Sequence, residues 1–181
     1  MKMLVLSDTH LKSGNIPACL HEAIKNHDMV IHAGDFDSFE CYKTFNDSGK
    51  LKAVYGNCDP YEVRKVLQKN LKFEVEGIKI GVVHKGALSI NDTTAIRYKA
   101  LEMGVDILIF GHIHHPMYEK SDVILLCPGS PTNPRMSDPM MAELIIEDGK
   151  VETKFIEVED NGCGCDSCGY INFSRNLESE K

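Results

Sequence analysis

An α/β fold, built as a two-sheet β-sandwich flanked by helices, is predicted by the order in which two hydrophobic patterns follow each other. Up to residue 110, short apolar runs alternate with segments of helical spacing, as in β-α-β units. From residue 123 onward, VILLCPGS and MAELIIEDGKVETKFIEV read as consecutive strands with no helix between them. Two sheets packed face to face, with helices outside, accommodate both halves in one domain. A length of 181 residues suits one full core and is short for two.

The elements follow in order. Residues 2–7 (KMLVLS) predict a buried strand that ends on polar side chains. Ile16, Leu20, Ala23 and Ile24 share one face and predict a helix over 16–26. DMVIHAGD predicts a second strand ending at Gly34-Asp35, followed by a short helix over 38–46. Leu51 to Tyr55 form a third strand ending at Gly56, and 61–68 read as helix. Gly77 divides a hairpin into 71–76 and 78–84. Thr93 to Met103 fit a helix, with Asn91 or Asp92 as N-cap and Gly104 just past its end. VDILIF (105–110) is a strongly apolar strand closed by Gly111, and Asp148-Gly149 turns the last hairpin. Residues 159–181 become polar and Gly-rich, so a tail is expected after a domain of 1–158.

Bulk properties narrow the function. A net charge of -7 argues against a broad nucleic-acid surface or binding to anionic lipid. It leaves room for a small phosphoester substrate, because bound metal ions can reverse the local sign. No apolar run approaches the roughly 20 residues of a membrane span. The opening MKMLVLSDTH turns polar after six residues, making a poor signal peptide and a good first strand, so a cytoplasmic protein is expected. Seven cysteines, an odd number, do not suggest a disulfide framework. Cys19, Cys41 and Cys127 read as small buried apolar side chains. Cys163, Cys165 and Cys168 crowd into CGCDSC; three thiols need a further ligand to complete a zinc site, and the simpler reading is a redox-sensitive tail.

The chemistry concentrates at strand ends. Four strands run in turn into Asp8 and His10, then Asp35, then Asn57, then His84, and a fifth ends in GHIHH with His112, His114 and His115. In open α/β sheets the C-terminal strand ends face the ligand crevice. Carboxylates, imidazoles and an amide oxygen make mixed N/O shells suited to Mn, Fe, Zn, Co or Ni, with no thiolate bias towards a structural zinc. Two ions about 3.5–4 Å apart would polarise a phosphoryl oxygen and hold a bridging hydroxide for in-line attack. His32 is expected as a core or supporting hydrogen-bonding residue, and His115 as a loop residue near substrate. Asp59 reads equally as a supporting acceptor or as a helix N-cap before Pro60. Arg135, after PGS, is a candidate bidentate donor to substrate phosphate, with an exposed salt bridge as its alternative.

Taken together, SDTH (7–10), GD (34–35), GN (56–57), the strand-end His84, GHIH (111–114) and PGSPTNPR (128–135) resemble the calcineurin-like metallophosphoesterase superfamily. More narrowly, the chain resembles its small YfcE-type phosphodiesterases over about residues 1 to 158. The resemblance implies the helix-flanked β-sandwich and a dinuclear metal centre, with manganese the first expectation for both ions. It implies that Asp8, His10 and His114 bind one ion, that Asn57, His84 and His112 bind the other, and that Asp35 bridges them. Asn57 and His112, with Arg135, would also neutralise transition-state charge. Cys58 stands where many members keep a proton-donating His, and Lys85 stands where they often continue His-Gly-His; Lys85 is a candidate phosphate contact or a solvated loop residue. The expected activity is phosphodiester hydrolysis, with phosphomonoester hydrolysis or a retromer-subunit-like interaction scaffold as alternatives. A homo-oligomer is expected from the small size of such members.

Overall fold

The computed structural model describes residues 1–85 and 92–158. The expected tail with Cys163, Cys165 and Cys168, and the expected cap Asn91, lie outside the described residues. In chain order the elements are β1 (Lys2–Leu6), α1 (Ala18–Lys25), β2 (Met29–His32), α2 (Phe39–Asn46), β3 (Leu51–Ala53), α3 (Tyr61–Val66) and β4 (Asn70–Val75). They continue with β5 (Ile78–Val83), α4 (Thr94–Met103), β6 (Ile107–Ile109), β7 (Pro116–Lys120), β8 (Ile124–Pro128), β9 (Met140–Glu147) and β10 (Lys150–Glu157). One sheet has the order β10-β9-β1-β2-β3 and the other β4-β5-β6-β8-β7. In the first sheet β1, β2 and β3 run parallel while β9 and β10 pair antiparallel on the other side of β1; in the second, β5, β6 and β8 run parallel and the two edge strands β4 and β7 pair antiparallel.

β1 shows why its sequence is apolar without alternation. Met3 and Val5 point between the sheets, where they meet Ile31, Ile80, Val82, Ile107, Ile109 and Leu126. Leu4 and Leu6 point outward onto Leu20, Ala23 and Ile24 of α1 and Cys41 and Phe45 of α2. A strand covered on both faces has no polar side to write. On the far side, Ile96 and Ala100 of α4 cover Val83, Leu108, Leu125 and Cys127. The result is helix, sheet, sheet, helix, as the sequence predicts. Cys41 and Cys127 are buried and Cys19 is partly buried against the first helix layer.

Several boundaries move for local reasons. β2 stops at His32 because Gly34 and Asp35 turn away with φ of 94° and 61°. α1 starts at Ala18, with Pro17 in the capping position and Ile16 buried ahead of it. Ser38 caps α2 by accepting a hydrogen bond from the Cys41 amide. At α4 the capping position is Thr93, while the Asp92 carboxylate accepts from the Thr94 amide; Gly104 ends the helix with φ 59°. The strand absent from the sequence reading is β7. It begins with proline, carries a mixed PMYEK sequence and pairs only with β8 at the sheet edge, where alternation and apolar content are weak. Among the described residues no helix is long and apolar enough to cross a membrane.

His32, at the end of β2, is fully buried and stacks on Phe36 with ring centroids 3.7 Å apart. Its Nδ1 accepts from the Gly34 amide, so Nε2 carries the proton and donates to Thr9 Oγ1 at 3.2 Å. Burial first, and the neighbouring His84 second, push its pKa down to about 3 from 6.5. The unfolded chain therefore takes up a proton on this side chain before the folded one does. Its contribution is fully present above pH 6.5 and declines as pH falls towards about 3, at about 1.4 kcal/mol per pH unit for one proton. Urea titrations at pH 7 and pH 5 are expected to show a steeper loss for wild type than for His32→Gln, which keeps a donor and an acceptor but cannot charge. Equal losses would remove this role for His32.

Candidate metal centre

The site is built from loops that leave the C-terminal ends of parallel strands in both sheets. Asp8 and His10 follow β1, Asp35 follows β2, Asn57 follows β3, His84 follows β5, and His112 and His114 follow β6. Among these, Asp8, His10, Asp35, His112 and His114 all have left-handed backbone, with φ between 46° and 75°. Such a conformation is uncommon for a residue with a side chain and costs of order 1–3 kcal/mol each. Strain gathered at one edge of a molecule marks a place where the surrounding structure overrules local preference.

The glycines of the GD, GN and GH motifs answer a second demand, which is space. A Cβ on Gly56 would lie 2.1 Å from Asp35 Oδ1, and one on Gly111 would lie 2.8 Å from Asp8 Oδ2. The loops of Gly56 and Gly111 therefore need a bare backbone where the carboxylate of another loop passes, and a Cβ on Gly34 would meet the Gly56 amide at 2.7 Å.

The side chains converge in two overlapping groups. Asp8, His10 and His114 present ligand atoms within 4.8 Å of one another, as do Asp8, Asp35 and His84. His114 Nε2 is 3.4 Å from Asp8 Oδ1 and 3.2 Å from His10 Nε2. His84 Nε2 is 3.0 Å from Asn57 Oδ1 and 3.3 Å from Asp35 Oδ2. Asp35 Oδ2 is also 3.6 Å from His10 Nε2, so this carboxylate stands between the two groups. His112 faces His84 edge-on at 5.4 Å between ring centroids, and its backbone amide donates to the Asp8 carboxylate.

The tautomers test whether a metal fits. His84 Nδ1 donates to the Ala33 carbonyl at 2.8 Å and His114 Nδ1 donates to the Asn133 carbonyl at 2.5 Å. A carbonyl only accepts, so both rings carry a proton on Nδ1 and aim Nε2 inward. There Nε2 of His84 meets the Asp35 and Asn57 oxygens, and Nε2 of His114 meets the Asp8 carboxylate and the His10 ring. Such a convergence draws positive charge, either a proton on a ring or a cation, and the donor set fits a borderline divalent metal. Proton affinities report the same field. Burial alone would raise Asp35, but His84 and the Cys58 amide hold its carboxyl well below the usual range. Burial lowers His84, and the Asp35 carboxylate more than reverses this. Burial, reinforced by His84 and Lys85, holds His112 below its ordinary value.

Asp59 decides between its two sequence readings. The capping position of α3 is Pro60, with no side-chain cap, so Asp59 is not the N-cap. Its Oδ2 accepts from the amides of Asp35 and Gly56, and its Oδ1 from those of Phe36 and Asp37. One buried carboxylate thus ties the loop after β2 to the loop after β3. The PGSPTN segment does similar work for the loop after β1: Ser130 Oγ donates to the Asp8 carbonyl and Thr132 Oγ1 to the Thr9 carbonyl. Asp37, 3.5 Å from His10 Nδ1, is a further neighbour that the sequence reading missed. Only its place two residues after Asp35 hinted at it.

The remaining expected residues lie around this cluster. Cys58 is exposed at its mouth, with its thiol grouped with His10 and Asp35; burial and the Asp35 charge push its pKa up to about 11. Asn57 Nδ2 donates to its sulfur at 3.2 Å. Arg135 is exposed, its amide donates to the His114 carbonyl, and among the described residues it has no carboxylate partner. His115 is partly buried in the loop before β7, with Nδ1 unpartnered among the described residues. Lys85 is exposed beside His84.

Residues 1–149 match the calcineurin-like phosphoesterase superfamily domain. The chain belongs to this superfamily. A probable metallophosphoesterase of Methanothermobacter thermautotrophicus is 34% identical over 174 residues, covering 94% of this chain and 98% of the relative. A probable metallophosphoesterase of Methanocaldococcus jannaschii is 38% identical over 160 residues, covering 86% of this chain and 81% of the relative. Among solved structures, zinc-complexed Vps29 from Entamoeba histolytica superposes with a TM-score of 0.74 at 25% identity, covering 89% of this chain and 94% of that one. The helix-flanked pair of sheets is thus the metallophosphoesterase fold, and the converging side chains are this phosphoesterase's candidate metal-binding residues.

Asp59 offers a test that removes no candidate ligand. Asp59→Asn would turn amide hydrogens towards two of the four backbone donors. Mn²⁺ affinity, measured by competition with a chelating dye, is expected to fall by about 10–100-fold. Unchanged affinity would show that the two loops hold their places without it.

Proposed function

We propose that this chain is a metal-dependent phosphodiesterase that works with two divalent ions, manganese foremost among Mn, Fe, Zn, Co and Ni. The observation that carries the reading is the inward convergence of carboxylate, amide and imidazole ligand atoms from five strand ends. Asp8, His10 and His114 would hold one ion, Asn57, His84 and His112 the other, and Asp35 would join both. When bound, the ions supply Lewis-acid polarisation of the phosphoryl oxygens and lower the pKa of the attacking water. The protein's part is to orient. Ala33 and Asn133 hold the His84 and His114 rings with Nε2 inward, and His84 together with the Cys58 amide favours the ionised form of Asp35. Asn57 and His112 would steady charge on phosphorus as it grows, and Arg135 stands near enough in sequence and space to the His114 loop to assist.

Cys58 bears on which bond breaks. With its pKa at about 11 it stays a neutral thiol near pH 7, and a thiol is a weak hydrogen-bond donor. Leaving groups that need strong protonation should therefore be poor, while aryl and nucleotide esters should be good. The phosphomonoesterase alternative rests on the same cluster. The scaffold alternative has only the likeness to Vps29 in its favour, and the full set of candidate ligands speaks against it.

After chelation and refilling with Mn²⁺, turnover of bis-p-nitrophenyl phosphate is expected to exceed that of p-nitrophenyl phosphate, and both should vanish on chelation. No metal-dependent turnover of either ester would end the enzyme reading. Cys58→His is expected to raise kcat for alkyl-leaving-group diesters by about 10- to 100-fold while bound metal stays constant. An unchanged rate would mean that proton donation comes from elsewhere.

A further inference from the structure

A cavity of about 440 Å³ opens directly off the candidate centre and shares Asn57 and His84 with it. Its wall continues away from those two residues through Tyr55, Arg64, Lys69 and Lys85. The volume falls in the range of small-molecule sites, about 300–1,000 Å³.

Charge sets the cavity apart. The chain carries 27 acidic against 20 basic residues, yet the lining holds three cations and no Asp or Glu. Among the described residues, none of the three has a carboxylate within ion-pair distance, whereas Lys2, Lys12, Arg97, Lys99 and Lys154 do. Arg64 is also pre-oriented. Its Nε donates to the Asp59 carbonyl and its Nη2 to the Asn57 carbonyl, both at 2.7 Å, and its guanidinium lies 5.9 Å from the Tyr55 ring centroid. Two of its five N–H groups are thereby used, and the rest of the fork stays available to oxygen acceptors. A fixed guanidinium flanked by two unpaired lysines matches a group with several negatively charged oxygens.

We propose that this cavity is an anion subsite of the same centre, and that the preferred substrates are nucleotide-sized phosphoesters bearing a second phosphate on the same molecule. The proposal rests on the phosphodiesterase reading for its chemistry and on the cavity alone for its binding. Arg64 also positions the Asn57–Asp59 loop, so the test falls on Lys69 and Lys85, which are exposed and make no hydrogen bond among the described residues.

The full chain, loaded with Mn²⁺, is assayed on thymidine 5′-(p-nitrophenyl phosphate) with and without a 3′-phosphate. Calorimetry in parallel compares thymidine 3′,5′-bisphosphate with thymidine 5′-monophosphate. Wild type is expected to favour the 3′-phosphorylated compound by about tenfold or more in both kcat/KM and affinity. Lys69→Ala/Lys85→Ala should erase most of this ratio, and Lys69→Arg/Lys85→Arg should retain it. Equal values for the paired compounds in wild type would overturn the subsite, as would a preference that survives the double alanine variant. If neither ester is hydrolysed, the phosphodiesterase reading falls and the calorimetric ratio alone decides the subsite.

Discussion

Much of this molecule hangs on the Asp59 carboxylate and the four backbone amides it accepts. Two loops that end neighbouring parallel strands would otherwise meet as bare N–H groups in a buried place, and an unpaired buried donor costs about 1–3 kcal/mol. By accepting from Gly56 on one side and from Asp35, Phe36 and Asp37 on the other, Asp59 converts that liability into a joint. The joint places Asp35 under the Gly56 backbone, where only a glycine leaves room. Arg64 grips the same loop from outside, through the Asn57 and Asp59 carbonyls. The candidate ligand Asn57 and the candidate anion subsite are therefore parts of one braced turn.

From this joint the logic of the site extends outward. Left-handed backbone at five strand-end residues is a standing conformational cost. It is sustained because every loop is tied to another: the β1 loop by Ser130 and Thr132, the β2 loop by Asp59, and the His84 and His114 rings by carbonyls of distant segments. The same ties orient the rings, and the rings turn Nε2 towards carboxylate and amide oxygens. Geometry that is unfavourable when empty of positive charge becomes a strong preference for cations. The opposed proton affinities of Asp35 and His84 express that preference.

The two sheets divide the labour. One sends Asp8, His10, Asp35 and Asn57 to the site, and the other sends His84, His112 and His114. The inter-sheet core of Met3, Val5, Ile31, Ile80, Val82, Ile107 and Ile109 is what holds these halves in register. The site thus depends on sheet packing, although none of these core residues is a candidate ligand. The basic cavity adds a region on the other side of Asn57 and His84 whose sign opposes that of the chain as a whole.

Most of the fold was legible in order of pattern: doubly covered strands such as β1 write unbroken apolar runs, and helices such as α1 write a one-sided period. β7 escaped because an edge strand beginning with proline and half exposed writes no clear period. The spacing of GD, GN and GHIH against strand ends was enough to gather the candidate ligands, since a strand's end is a local property. By itself, then, the sequence determined the succession of layers and the identity of the side chains brought to one edge. Tertiary structure alone decided that Asp59 braces two loops rather than capping a helix, that Asp37 lies beside His10, and that Arg64, Lys69 and Lys85 share a cavity. Those relations join residues whose separation in the chain carries no period, so they exist only once the strands have packed.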